Sequence, residues 1–433
     1  MQKKELIPKN IISPFMLVTS LFALWGFAHD ITNPMVAAFK NILLISNFES
    51  SLVQFAFYGG YCCMAIPAAI FIRKFDYKIG ILMGLALYAM GCFLFIPASN
   101  EMAFWVFLIA YFVMTCGLAF LETSCNPYVL SMGAEETATR RLNLSQAFYP
   151  MGSLIGMFTA SEYILKRLNT ATEAERVILQ QNDPAAFDVI SKSDLDVISL
   201  PYLLLGLVVL AFFVAILLAK LPLGKSADAV KSSLGSAFKR LISNKVYLYS
   251  VMAQAFYVGV QIMCWTFIIQ YGQHELNMQM ATAQNYNIVA MMFFASGCFI
   301  CTYLLKFFNP STLLMTMAIG GGIFTLGAIF LQGMPGMYSL VAISACMSMM
   351  FPSIYGIALK GLGEDAKLGS AGLIMAIGGG SLMPPIQGYL IDVANWFPGF
   401  LSPVRISFVL PLICFIIIAL YGKWVKKTRD GVK

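Results

Sequence analysis

Two carboxylates stand where carboxylates are hard to keep. Glu122 lies in Ala119-Phe-Leu-Glu-Thr-Ser-Cys-Asn-Pro-Tyr128, inside an apolar run from Phe104 to Leu130. Asp30 lies in Leu24-Trp-Gly-Phe-Ala-His-Asp-Ile-Thr-Asn-Pro34, inside the first apolar run. A third acid, Glu162, falls near the end of its run. A charge at mid-bilayer costs roughly 2.5–3.5 kcal/mol on insertion scales, so an acid retained at that depth is read first as functional. A carboxyl group can take up and release a proton, and it can accept hydrogen bonds from a solute. Asp30 and Asn33 are three residues apart, and Glu122 and Asn126 are four apart, so each pair shares a helix face. Pro34 and Pro127 follow these pairs; each removes a backbone hydrogen bond and favours a bend or an opened turn. The competing expectation for each acid is a structural pairing with a polar neighbour, His29 in the case of Asp30.

Other polar residues inside apolar runs fall into stripes. Asn143, Gln146 and Tyr149 recur every three residues. Gln254, Tyr257, Gln261 and Trp265 stand at i, i+3, i+7 and i+11. Amides hydrogen-bond hydroxyls, and flat rings stack on the C–H face of a pyranose, so this set suits a sugar. Amides also serve as bonds between membrane helices, and that reading stays open beside the first. The clusters Gly320–Gly322 and Gly378–Gly380 favour close helix approach or bending rather than ligand contact. Metal and redox chemistry find little support. All ten cysteines lie in apolar runs, and the one CxxC, Cys298 to Cys301, has no second pair. HExxH and Walker patterns are absent, so no enzyme activity, metal or cofactor is expected.

These residues need a scaffold, and composition names its class. The chain has 433 residues, 59% hydrophobic and 11% charged, against about 25% charged in soluble proteins. Its apolar runs are long enough to span a bilayer, which takes about 20 residues per helix. Twelve spans are expected: 14–39, 50–72, 79–97, 102–132, 142–165, 200–221, 246–271, 281–305, 310–331, 337–359, 368–390 and 402–422. The run beginning at Ile11 is too long for a signal peptide, so no cleaved leader is expected. With both termini placed inside, twenty-two of the 28 Lys and Arg fall on inner segments, which is a strong positive-inside bias. The net charge of +7 is thus spread along one membrane face and does not indicate nucleic acid. The pairs Arg73-Lys74 and Arg140-Arg141 fall on that face, either as orientation signals alone or as a latch between halves. The outer loop 166–199 is long and slightly acidic, with a helix expected from Leu165 to Gln181. The division is into a six-helix half at 1–221, an inner linker at 222–245 rich in Lys and Ser, and a second half at 246–433. Two halves on a basic inner linker match the organisation of major facilitator transporters, whose substrate site lies at mid-membrane between halves.

Several stretches resemble the fucose:proton symporter family of the major facilitator superfamily. They are Phe22-Ala-Leu-Trp-Gly26, Ser51-Leu-Val-Gln-Phe-Ala-Phe-Tyr58, Phe120-Leu-Glu-Thr-Ser-Cys-Asn-Pro-Tyr128 and Arg141-Leu-Asn-Leu-Ser-Gln146. Tyr257-Val-Gly-Val-Gln261 with Cys264-Trp265, and Ile377-Gly-Gly-Gly380, extend the similarity across nearly the whole chain. The resemblance implies proton-driven uptake of L-fucose or a related hexose. It implies that Glu122 is the fourth-helix acid of sugar binding and proton coupling, and that Gln146 contacts sugar. The family's first-helix aspartate aligns with Asn33, whereas this chain has Asp30 one turn earlier. A fifth-helix asparagine of the family is Tyr149 here.

The expectation is therefore an all-α membrane protein of twelve transmembrane helices with the major facilitator fold. It imports L-fucose or a related hexose with protons by alternating access across a bacterial inner membrane, as a monomer with both termini cytoplasmic. Glu122 and Asp30 are the proton-coupling candidates. Asn33, Glu122, Asn126, Asn143, Gln146, Tyr149, Tyr257, Gln261 and Trp265 are the sugar-binding candidates. Glucose, galactose and N-acetylglucosamine are alternative substrates. A non-transporting sugar sensor and a drug efflux protein are alternatives of another kind.

Overall fold

The computed structural model describes residues 6–430 apart from 9–10, 33, 46, 172, 222–233, 279, 381 and 395–400. Every regular element among the described residues is helical, and ten helices are long and apolar enough to cross a membrane. The first expected span is two helices, α1 (Ile12–Thr32) and α2 (Met35–Leu43), parted beside Pro34. Then come α3 (Asn47–Lys74), α4 (Tyr77–Phe93), its short continuation α5 (Phe95–Asn100) and α6 (Phe104–Ser131). The fifth expected span is broken into α7 (Ala138–Gln146), α8 (Tyr149–Phe158) and a π-helical stretch, Thr159–Leu165. Next are α9 (Glu173–Asn182) and α10 (Pro184–Leu218).

Beyond residues 222–233 stand α11 (Leu234–Ser243), α12 (Lys245–Leu276), α13 (Met280–Leu304) and α14 (Pro310–Phe330). The tenth expected span is α15 (Met334–Met347) and α16 (Met350–Leu359). The eleventh is α17 (Ala366–Gly380) and α18 (Met383–Ala394), and the twelfth is α19 (Pro403–Ser407) and α20 (Val409–Val425). Each of the twelve expected runs is thus one helix or a broken set of helices. Their starts follow local chemistry. Asp76 caps α4 by accepting from the Ile79 amide, and Asp183 caps α10 ahead of Pro184 at the first helical position. Large apolar side chains such as Ile155, Leu204, Leu218 and Ile323 are exposed, as in a chain whose spans meet lipid.

The chain divides into two compact units. One holds Ser13–Cys125 and Met151–Pro222. In it α10 packs on α4 and α5, and α2 packs on α3. Its core is aromatic: the Phe95 and Tyr202 rings stack at 3.8 Å, and the Tyr111 and Tyr202 hydroxyls share a hydrogen bond of 2.9 Å. A Cβ on Gly84 of α4 would come within 2.9 Å of the Gly117 carbonyl of α6, so small residues set the spacing of that crossing. Beyond the spans, a buried ion pair between Arg176 and Asp194 ties α9 to α10.

The other unit holds Met1–Ile12, Asn126–Pro150 and Leu223–Lys433. In it α14 packs on α15 and α20, α12 packs on α13, α17 and α20, and α7 packs on α13 and α16. Arg141 is fully buried and donates to the carbonyls of Val129, Leu130 and Ala134, so it satisfies chain groups where α6 ends. Arg140 takes a different role: its Nε donates to the Thr302 carbonyl on α13 at 2.9 Å. Arg240 on α11 makes a bidentate pair with Asp365, with bonds of 2.7 and 2.9 Å. Gly321 of the first glycine cluster lies against the Phe415 ring of α20, as close helix approach requires.

Candidate functional site

Glu122 is buried on α6, and its Oε1 accepts a hydrogen bond of 2.7 Å from the Tyr61 hydroxyl on α3. Asp30 is buried on α1, with the His29 ring nitrogen 4.0 Å from its carboxylate. The His29 ring meets Phe57 and Tyr58 edge-on, at centroid distances of 5.3 and 6.0 Å. Phe57, Tyr58 and Tyr61 lie within about one turn of α3, so a single aromatic stretch of that helix faces both acids' surroundings. The site thus holds a carboxyl bonded to a phenol, and a second carboxyl beside an imidazole that packs on the same stretch of α3. Such a set can hold a proton away from water and pass hydrogen bonds to a hydroxylated solute. Asn33 lies outside the described residues.

The amide and aromatic candidates lie in the other unit. Gln146 at the end of α7 donates to the Asn126 side-chain oxygen on α6 at 3.0 Å, so two candidate amides form one pair. Asn143 is fully buried, and its amide nitrogen donates to the Cys298 carbonyl at 2.7 Å and to the Thr302 hydroxyl at 2.6 Å, both on α13. Tyr149 opens α8 and is half-buried. On α12, Tyr257 is buried with its ring edge toward Phe351, and Gln261 is half-buried. Trp265 is half-buried; its indole N–H donates to the Ser344 hydroxyl at 3.1 Å, and its ring meets Phe294 edge-on. Locking the indole from two sides gives a fixed flat surface, which is the element that stacking on a sugar face needs.

Three parts of this arrangement escaped the reading of the residues. Tyr61 went unnoticed although it stands three residues after Tyr58, where helical spacing puts both on one side of α3. Ser344 and Phe294, which orient Trp265, carry no motif at all. The cysteines are unpaired thiols; those of the CxxC, Cys298 and Cys301, bond Ser348 on its carbonyl and hydroxyl respectively. Among the described residues no cluster of three or more His, Cys, Asp or Glu is placed to hold a metal.

The sequence matches the Major Facilitator Superfamily model over residues 16–380. It is 51% identical over 420 residues to the L-fucose-proton symporter of Haemophilus influenzae, covering 96% of this chain and 97% of that one. It is 30% identical to the glucose/galactose transporter of Brucella abortus, over 96% of this chain and 94% of that one. The crystal structure of the Escherichia coli fucose:proton symporter superposes with a TM-score of 0.87 at 32% identity, covering 96% of this chain and 99% of that one. The chain belongs to the major facilitator superfamily and, within it, to the family of the fucose:proton symporters.

Proposed function

We propose that this protein carries L-fucose into a bacterium together with protons, by alternating access across the inner membrane. The observation that carries the reading is the near full-length identity to a relative named for that activity. The local chemistry supports it, since Glu122 is a buried carboxyl bonded to a phenol, the one charged residue in a largely apolar helix. In this reading Glu122 and Asp30 bind the proton. Glu122, Asn33, Asn126, Gln146, Tyr149, Tyr257, Gln261 and Trp265 offer hydrogen bonds and flat surfaces to the sugar. Asn143 joins that set by residue type, while its amide bonds favour a role in holding α7 on α13. The working division is a first six-helix half at 1–221, a linker at 222–245 and a second half at 246–433. The bias of Lys and Arg supports cytoplasmic termini. The protein acts as a monomer in its bilayer.

A second reading has its own support, because relatives named glucose/galactose transporters align over nearly the whole chain. One experiment separates the two. Purified protein in proteoliposomes is given an imposed proton gradient and radiolabelled L-fucose, glucose, galactose or N-acetylglucosamine. Gradient-dependent accumulation of L-fucose above the other sugars is the expected result. Accumulation of glucose or galactose with L-fucose excluded selects the second reading. Gradient-independent equilibration of every sugar defeats both.

A further inference from the structure

Two cavities adjoin along α10 and change polarity along its length. One, of about 460 Å³, is lined by Tyr163, Val189, Lys192, Ser193, Asp196 and Leu200. The next, of about 440 Å³, is almost wholly apolar and is lined by Phe27, Ile155, Tyr163, Pro201, Leu204 and Val208 with their neighbours. Tyr163 belongs to both, and on α10 the lining passes from Leu200 to Pro201 without a gap. The furrow has a local cause. A Cβ on Gly152 or Gly156 of α8 would overlap the carbonyls of Ala23 and Phe27, so α8 sits deep against α1. The π-helical stretch Thr159–Leu165 then changes the winding of the wall that carries Tyr163.

The dimensions match one leaflet. From Leu200 to Val208 the helix rises about 12 Å, within half of a hydrocarbon core about 30 Å thick. Toward the N-terminal end of α10 the furrow continues past Asp196, Ser193 and Lys192, where its lining becomes polar. Charge then narrows the occupant. Lys192 is paired with Asp196, and Lys166 with Glu162. Arg167 is exposed, lies with its guanidinium 4.0 Å from the centre of the Tyr163 ring, and has no acidic partner among the described residues. A cation thus stacks on the ring of Tyr163, the residue that lines both the polar and the apolar cavity.

We propose that this furrow is a specific site for an anionic glycerophospholipid, with one acyl chain in the apolar cavity and the phosphate against Arg167. The proposal rests on membrane embedding alone and is independent of the sugar and proton reading. A neutral apolar guest would fill the lower cavity but leave Arg167 without a counter-charge. A free anion would meet Arg167 but leave the exposed Leu204 and Ile155 walls bare.

Native mass spectrometry of the intact protein, equilibrated with equal amounts of phosphatidylglycerol and phosphatidylethanolamine, tests it. The expected result is a retained phosphatidylglycerol adduct that falls about five-fold in Arg167→Ala, is restored in Arg167→Lys, and is lost in Leu204→Trp. Both side chains are exposed, so the variants keep the fold, and an unchanged melting temperature verifies it. Equal retention of both lipids, or an adduct indifferent to either substitution, overturns the site. Inorganic phosphate supplies the last arm. Stabilisation by phosphate alone that Arg167→Ala removes, with lipid adducts unchanged, reassigns Arg167 to a free anion and overturns the lipid.

Discussion

Tyr61 on α3 donates a hydrogen bond of 2.7 Å to Glu122 on α6, and both side chains are buried. A buried acceptor that loses its donor costs about 1–3 kcal/mol. Tyr61→Phe keeps the ring and removes only the donor. Gradient-driven sugar uptake is expected to slow about ten-fold, the rate equivalent of about 1.4 kcal/mol, with the amount of folded protein unchanged. Initial rates in proteoliposomes check this, and wild-type rates in Tyr61→Phe reduce the bond to packing.

Glu122→Gln keeps shape and hydrogen bonding but removes the titrating group. One charge crossing 100 mV contributes about 2.3 kcal/mol, enough for a roughly forty-fold sugar gradient. The variant is expected to lose uphill accumulation and to retain sugar exchange, which moves no net proton. Counterflow and gradient-driven uptake measured on the same vesicles separate the two. Proton-dependent concentration of sugar by Glu122→Gln would remove Glu122 as the essential carrier.

The α7–α13 contact gives a third expectation. Asn143 donates to Thr302 and to the Cys298 carbonyl, and Arg140 to the Thr302 carbonyl, so three bonds join α7 to α13. Asn143→Ala removes two buried bonds and is expected to destabilise the α7–α13 contact by about 1–3 kcal/mol. The coupling between Asn143→Ala and Thr302→Ala, read from melting temperatures as a double-mutant cycle, isolates their shared bond. Additive shifts would show that the pair does not act as a unit.

Some of this was legible in the residues and some was not, for physical reasons. Long apolar runs announce spans, because a bilayer leaves few alternatives to a helix. Pro34 was legible as a break, since α1 ends just before it. Pro127 was not, because α6 passes through it unbroken, as helices in membranes tolerate. The interruption of the fifth span between Gln146 and Tyr149 was legible in Pro150, which has no N–H for the Gln146 carbonyl and whose ring crowds it. The early start of α10 at Pro184 was hidden by its polar first turns, which hydropathy reads as loop. Asp183-Pro184 was nevertheless a readable helix start, and the Arg176–Asp194 pair holds those turns against α9. Glu122 was visible because charge in an apolar run is rare, whereas its partner Tyr61 is one tyrosine among 19.

Asp30 raises the last question, because it lies one turn before Asn33, the position at which the resemblance expects the family's first-helix acid. It is buried with His29 4.0 Å away, and His29 packs against Phe57 and Tyr58 on α3. Two roles fit that geometry: a second proton carrier, or a structural partner of the imidazole. They predict different responses to substitution. As a carrier, Asp30 becomes unable to titrate in Asp30→Asn, which then loses gradient-driven accumulation while sugar exchange persists. His29→Gln, which cannot take a proton, then lowers accumulation less, because Asp30 itself remains. As a structural partner, Asp30→Asn and His29→Gln both lower the melting temperature and leave the ratio of accumulation to exchange intact. Asn33→Ala provides the control, since an amide contributes hydrogen bonds and no proton: sugar affinity is expected to weaken with coupling preserved. Measuring accumulation, exchange and melting temperature on the three variants decides the matter. Full proton-driven accumulation by Asp30→Asn would leave Glu122 as the sole coupling acid.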